Sequence, residues 1–121
     1  MNIYLDIDGV LIDKHGEPAL GVVDFLQNVT DNNSCYWLTT HCRGGENHVF
    51  TYLENKLPES ALPYLQKIKP TDWQTLKTEA IDFSQEFLWF DDYIMEAERE
   101  VLIREGKLES FVLINKPNLT L

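Results

Sequence analysis

The chain has 121 residues, 44% of them apolar, enough for one domain with a real core and little room for a second, so one unit spanning 1–121 is expected and disorder is excluded. Twenty acidic against ten basic side chains give a formal charge of −10, which disfavours nucleic-acid backbones and anionic lipid as partners. No apolar run approaches membrane-spanning length, and no basic stretch leads into an apolar one at the start, so a cytoplasmic protein without a leader is expected.

Residues 2–7, NIYLDI, read as a buried strand that ends at Asp8-Gly9. A turn at DKHG is followed by a helix with Pro18 in its first turn. Its buried stripe is Val22, Phe25, Leu26 and Val29, and Asp31, Asn32 and Asn33 end it. CYWLT, 35–39, is a second buried strand. Gly44 and Gly45 then precede a helix with the stripe Val49, Phe50, Leu53 and Leu57. Pro58, Pro63 and Pro70 break up the next stretch, in which YLQKI fits a short edge strand. Thr71 with Gln74 resembles a capping box for a helix carrying Trp73, Leu76, Ala80 and Phe83. FLWF, 87–90, is a strand that stops at Asp91-Asp92. Ile94, Ala97 and Val101 mark a helix that Gly106 stops, and FVLI, 111–114, is the last strand. Cys35 and Cys42 lie outside any C-x-x-C pattern and read as reduced thiols.

Strands apolar on both faces, alternating with helices, predict an α/β fold: a doubly wound parallel sheet of about five strands with helices on both faces. In such sheets chemistry gathers at the carboxyl ends of the strands. Asp6 and Asp8 close the first strand, Thr39 and Thr40 the second, and Asp91 and Asp92 the third. Carboxylates as close as Asp6 and Asp8 repel each other and resist burial, so a compensating cation is expected.

DIDGVL, then YWLTT, then a lysine, then FLWFDD, each motif strand-tipped and in this order, resembles the haloacid dehalogenase-like (HAD) superfamily from about residue 3 to 114. The resemblance implies a HAD-like Rossmannoid fold and a magnesium-dependent phosphatase. Asp6 would be the nucleophile that forms an aspartyl-phosphate. Asp8 would be the general acid and base. Asp6 and Asp91 would bind Mg2+ through their side chains and Asp8 through its backbone carbonyl. Asp92 would be a direct or water-mediated ligand, or would orient the others. Gly9 lets the chain leave the strand with no side chain over the phosphorus, and its amide is a candidate phosphoryl donor. Thr39, with Thr40 as its neighbour and fallback, would hold phosphoryl oxygens. Lys77, or in its place Lys69, would offset the charge of nucleophile and phosphate.

Plainer readings exist for each residue. Asp-Gly after a strand is an ordinary turn signal, Asp92 fits a helix cap, and Lys77 fits a solvated charge. His15, His41 and His48 show no zinc spacing and read as surface residues, although His41 and Arg43 follow the second motif and are candidate substrate contacts. Trp37 and Trp89 read as core, and Glu96, Glu98 and Glu100 as a solvated acidic face. Rival functions are a receiver-like phospho-acceptor domain, which places its acidic pair after the first strand, and a catalytically inactive relative that binds phosphate or protein. Dehalogenation has no alkoxide for Asp8 to protonate. The segments after Asp8 and between Thr40 and Lys77 are too short for a cap domain. A capless phosphatase with an open site is therefore expected, acting on a phosphorylated substrate whose class the sequence leaves open.

Overall fold

The strands form where the apolar runs predict them. In a computed structural model, which describes residues 1–45 and 47–120 and so leaves Glu46 and Leu121 outside the described residues, they are β1 (Asn2–Leu5), β2 (Ser34–Trp37), β3 (Phe87–Asp91) and β4 (Phe111–Leu113). All pair in parallel, in the order β2-β1-β3-β4. Tyr4 stands opposite Tyr36 and Trp89, and Leu5 opposite Trp37 and Phe90. Strand pairing extends a little past the named ends, since the Asp6 N–H donates to the Phe90 carbonyl at 3.0 Å and the Leu38 N–H to the Leu5 carbonyl at 2.8 Å. The carboxyl ends of β1 and β3 therefore lie side by side.

Among the described residues the sheet has four strands, where about five were expected. The expected edge strand at YLQKI is instead the end of a short helix followed by a turn; Pro63 lies in the first turn of that helix, where the fixed φ of proline favours a helical start. Only Lys69 reaches the sheet: its N–H donates to the Cys35 carbonyl at 3.0 Å and its carbonyl accepts the Trp37 N–H at 2.7 Å. Pro70 follows, and without an N–H it cannot extend the ladder.

Helices α1 (Val22–Asn32), α2 (Val49–Leu53), α3 (Leu62–Leu65) and α4 (Glu96–Arg104) connect the strands. Alternation along β1 divides the core. Ile3 and Leu5 pack with Val22, Leu26, Val49, Leu53, Ala61 and Leu65, whereas Tyr4 packs with Trp73, Phe87, Trp89 and Leu102. The residues between the second and third motifs thus join the core beneath β1.

Four expected helices are revised. α1 begins four residues after Pro18, which pairs with Ile12 in a short bridge. Gly21 precedes α1 in the left-handed region, φ 77°, and a Cβ there would stand 2.7 Å from Thr120 Cγ2. The expected helix over 71–83 is a loop with one 3-10 turn, Lys77–Ala80. Trp73 is drawn into the core, and the Glu79 carboxylate accepts the N–H groups of Gln74 (3.0 Å) and Leu76 (2.9 Å), satisfying backbone that a helix would otherwise use. In α4 the buried residues are Glu98 and Leu102 while Ala97 is exposed, and in α2 Phe50 is exposed while Val49 and Leu53 are buried. No helix among the described residues is long and apolar enough to cross a membrane.

Candidate active site

β1 and β3 carry their aspartates to one place. Oxygens of Asp6, Asp91 and Asp92 lie within 4.8 Å of one another, with Asp6 and Asp91 buried and Asp92 exposed. The Lys77 ammonium sits between the two buried carboxylates, 2.7 Å from Asp91 Oδ2 and 3.4 Å from Asp6 Oδ1. Asp91 is held further by the Trp89 indole N–H, which donates to Oδ2 at 3.2 Å, and by the backbone N–H groups of Asp92 (2.8 Å) and Tyr93 (3.3 Å), which donate to Oδ1. Trp89, expected to be plain core, is fully buried and also orients a carboxylate.

The electrostatics follow from burial. Loss of water raises the Asp91 pKa to about 6, and the neighbouring Asp6 charge adds to the rise while Lys77 opposes it. Asp6 is also pushed up by burial, against the pull of Lys77, and Asp92 is raised by burial and by Asp91. Burial works to lower the Lys77 pKa, but Asp6 and Asp91 outweigh it and the net shift is upward. Three carboxylates against one ammonium leave an excess of two negative charges when all are ionised. A divalent cation matches that excess, and an all-oxygen donor set suits a hard one such as magnesium.

Lys77 reaches this position because a buried carboxylate holds its backbone. Glu98, expected on a solvated face, is buried. Its Oε2 accepts the Lys77 N–H at 2.8 Å and its Oε1 accepts the Met95 N–H, at the start of α4, at 3.0 Å. Glu98 thereby ties the lysine segment to the helix that follows Asp91-Asp92. Lys69 is exposed, and its backbone pairs with the outer edge of β2.

Asp8 is set apart from the cluster. Its side chain is 55% exposed, yet both oxygens are taken. The Tyr52 hydroxyl donates to Oδ1 at 2.7 Å, and His41 Nε2 lies 3.1 Å from Oδ2. The His41 and Tyr52 rings stack at 4.1 Å between centroids, and the Lys56 ammonium lies 4.2 Å from the Tyr52 ring centre. The bond to Asp8, with burial, pushes the Tyr52 pKa up to about 12, so the phenol stays protonated as a donor.

Gly9 meets its expectation in one respect and not the other. Its φ is +81°, and a Cβ there would lie 2.3 Å from Asp92 Oδ2, so the missing side chain makes room for a carboxylate. Its amide, however, donates to the Ile12 carbonyl at 2.8 Å, within a tight turn in which the Ile7 carbonyl accepts the N–H groups of Val10 and Leu11. That amide is engaged, which corrects its reading as a phosphoryl donor. Thr39 is fully buried past the end of β2. Its Oγ1 accepts the His41 N–H at 3.3 Å, and its carbonyl accepts the Trp73 indole N–H at 3.2 Å. Thr40 is exposed and opens Thr40–Gly45, a 3-10 stretch broken by a kink at Arg43 and Gly44. Arg43 turns back: its Nε donates to the Gln74 carbonyl at 2.6 Å and its guanidinium lies 5.2 Å from the Trp73 ring centre.

Both cysteines are free and buried, and burial raises both thiols, Cys35 to about 11. A cavity of about 620 Å3 lies between α1 and the sheet residues Leu88, Phe90 and Val112; none of Asp6, Asp8, Lys77, Asp91 or Asp92 lines it. Tyr52, Glu98 and the Trp89 indole are the site residues that sequence reasoning missed. Tyr52 stands three residues after buried Val49, a spacing that places it on the flank of the buried stripe. No protein-family model, no curated protein and no solved structure matches this chain.

Proposed function

We propose that the protein is a magnesium-dependent phosphatase with a capless, doubly wound HAD-like fold, working through an aspartyl-phosphate on Asp6. The observation that carries this reading is the gathering of Asp6, Asp91 and Asp92 around the Lys77 ammonium where β1 and β3 end side by side. The donor set fits the ion: three carboxylates, two excess negative charges, and a glycine whose missing side chain keeps Asp92 in reach. Asp6, Asp91 and Asp92 would hold it, with the Asp8 carbonyl as the further ligand that the family resemblance implies. Bound there, it would neutralise charge between the nucleophile and the phosphate oxygens.

The chain's own groups divide the rest of the work. An Asp6 oxygen attacks phosphorus, and the bond from phosphorus to the leaving oxygen breaks. Asp8 gives that oxygen a proton, so the product leaves as an alcohol. The Asp8 carboxylate then takes a proton from water, whose oxygen attacks the same phosphorus. The bond from phosphorus to Asp6 breaks, releasing inorganic phosphate and restoring both carboxyl groups. Lys77 stays charged throughout and opposes repulsion between Asp6 and the substrate. Thr40, exposed at the end of β2, is the proposed phosphoryl contact, whereas Thr39, expected in that role, is fully buried and holds the His41 N–H.

The test is turnover of an aryl phosphate with magnesium, with and without a chelator. Wild-type activity that chelation abolishes and that Asp6→Asn lowers by about 10⁴-fold or more is the expected result. Wild-type inactivity toward aryl, sugar, nucleotide and peptide phosphates, with magnesium still bound, would favour the inactive binding-module reading instead.

A further inference from the structure

We infer that Tyr52 and His41 are positioning residues that fix the Asp8 carboxylate for proton transfer to the leaving group, an inference that rests on the phosphatase reading. A carboxylate on an exposed turn ordinarily samples several rotamers, and each one that points away from the leaving oxygen is unproductive. Asp8 is exposed, yet each oxygen has its own partner, Tyr52 Oη at 2.7 Å and His41 Nε2 at 3.1 Å.

Those partners are themselves immobilised. One ring contact of Tyr52 is the stacked His41 and another is the Lys56 ammonium, whose Nζ also donates to the Tyr52 carbonyl at 3.2 Å. His41 is anchored by its own backbone, with its N–H on Thr39 Oγ1 and its carbonyl accepting the His48 N–H at 3.3 Å. α2 carries Tyr52 on buried Val49 and Leu53. The arrangement connects Asp8 to the core beneath β1 through residues 44 and 33 positions away in the chain. With the Tyr52 hydroxyl donating into Oδ1, proton exchange with the leaving oxygen falls to Oδ2, whose partner in the resting site is His41 Nε2.

Position matters only when a proton is needed. A 4-nitrophenolate leaves without one, whereas an alkoxide does not. Tyr52→Phe deletes the hydroxyl and keeps the ring. With magnesium present, we expect it to lower kcat/KM for an alkyl phosphate about tenfold and to leave kcat/KM for 4-nitrophenyl phosphate within about twofold. In an Asp8→Asn background the same change should have no further effect on the alkyl phosphate. His41→Gln, with the thermal midpoint checked for both variants, should repeat the leaving-group dependence if Tyr52→Phe fails to fold. Equal losses on both substrates, or a loss that adds to that of Asp8→Asn, would mark the contacts as merely structural and overturn the inference. A wild type inert toward both substrates would defeat the phosphatase reading, and this inference with it. An active wild type whose variants show no leaving-group dependence defeats the inference alone.

Discussion

Two groups of polar residues flank the tip of β1, and they are held in opposite ways. Asp6 is buried, and its partners Lys77 and Asp91 are buried or nearly so. Asp8, two residues on, is exposed and is held by side chains from a loop and a short helix. Burial makes the first group costly to ionise, so its geometry and the stability of the protein are coupled. The second group stands in water, where ion pairs and hydrogen bonds contribute little to stability and mainly set direction. One strand end thus presents two carboxylates whose substitution should have different consequences.

After Asp6→Asn, the largest expected effect falls on the exposed side. Asp8→Asn should lower turnover of an alkyl phosphate by roughly 10²–10⁴-fold. The same variant should shift unfolding free energy by no more than about 0.5 kcal/mol, measured by urea titration, because a solvated side chain is removed from no core contact. A large loss of stability would break the contrast between the two groups.

Lys77→Met tests the buried side. Removing one partner of a buried ion pair leaves its carboxylates uncompensated, at a cost of about 3 kcal/mol in the metal-free protein at pH 7. Added magnesium should recover a measurable part of that loss in the same urea titration, since a bound cation stabilises the folded state it binds. No recovery would argue against a cation among Asp6, Asp91 and Asp92.

Acidity should sharpen the difference. Asp91 titrates near pH 6 when folded, above its ordinary carboxylate value, so between these values the folded protein binds more protons than the unfolded chain. Its contribution to stability therefore rises as pH falls. In chelator, wild type should gain about 1 kcal/mol from this group between pH 7 and pH 5. Asp91→Asn should remove that gain, and saturating magnesium should reverse the trend because protons compete with the ion. The smallest effect belongs to Lys69→Ala: within about 0.5 kcal/mol in stability and unchanged turnover, because the edge pairing uses only its backbone.

Much of the buried group was readable from the chain, because its aspartates each end an apolar run. A strand buried on both faces announces itself through Ile3, Leu5, Trp89 and Phe90, and the polar residues that interrupt it must lie at its end. The lysine could be narrowed to two positions and no further, since the choice depends on a fold of 71–80 that capping signals misrepresent. Thr71 and Gln74 suggest a helix start, whereas Trp73 and Glu79 pull that backbone into a loop. Glu98 was hidden by its setting among Glu96 and Glu100, and only its reach to the Lys77 N–H distinguishes it. The expected start of α1 at Pro18 missed because Gly21 takes a conformation that proline spacing does not report. Tyr52 and His41 were least legible, for their role lies in contacts across 44 and 33 residues. Local periodicity carries no information at that range.

The bare Cα of Gly9 ties together two properties that proteins commonly vary independently. It permits the left-handed turn after Asp8, and it vacates the volume that Asp92 Oδ2 occupies. A methyl group at this position would strain the backbone and evict the third carboxylate in one stroke. Redesign of the loop for new substrates must therefore begin beyond residue 9, where length and composition can change without disturbing the acidic cluster.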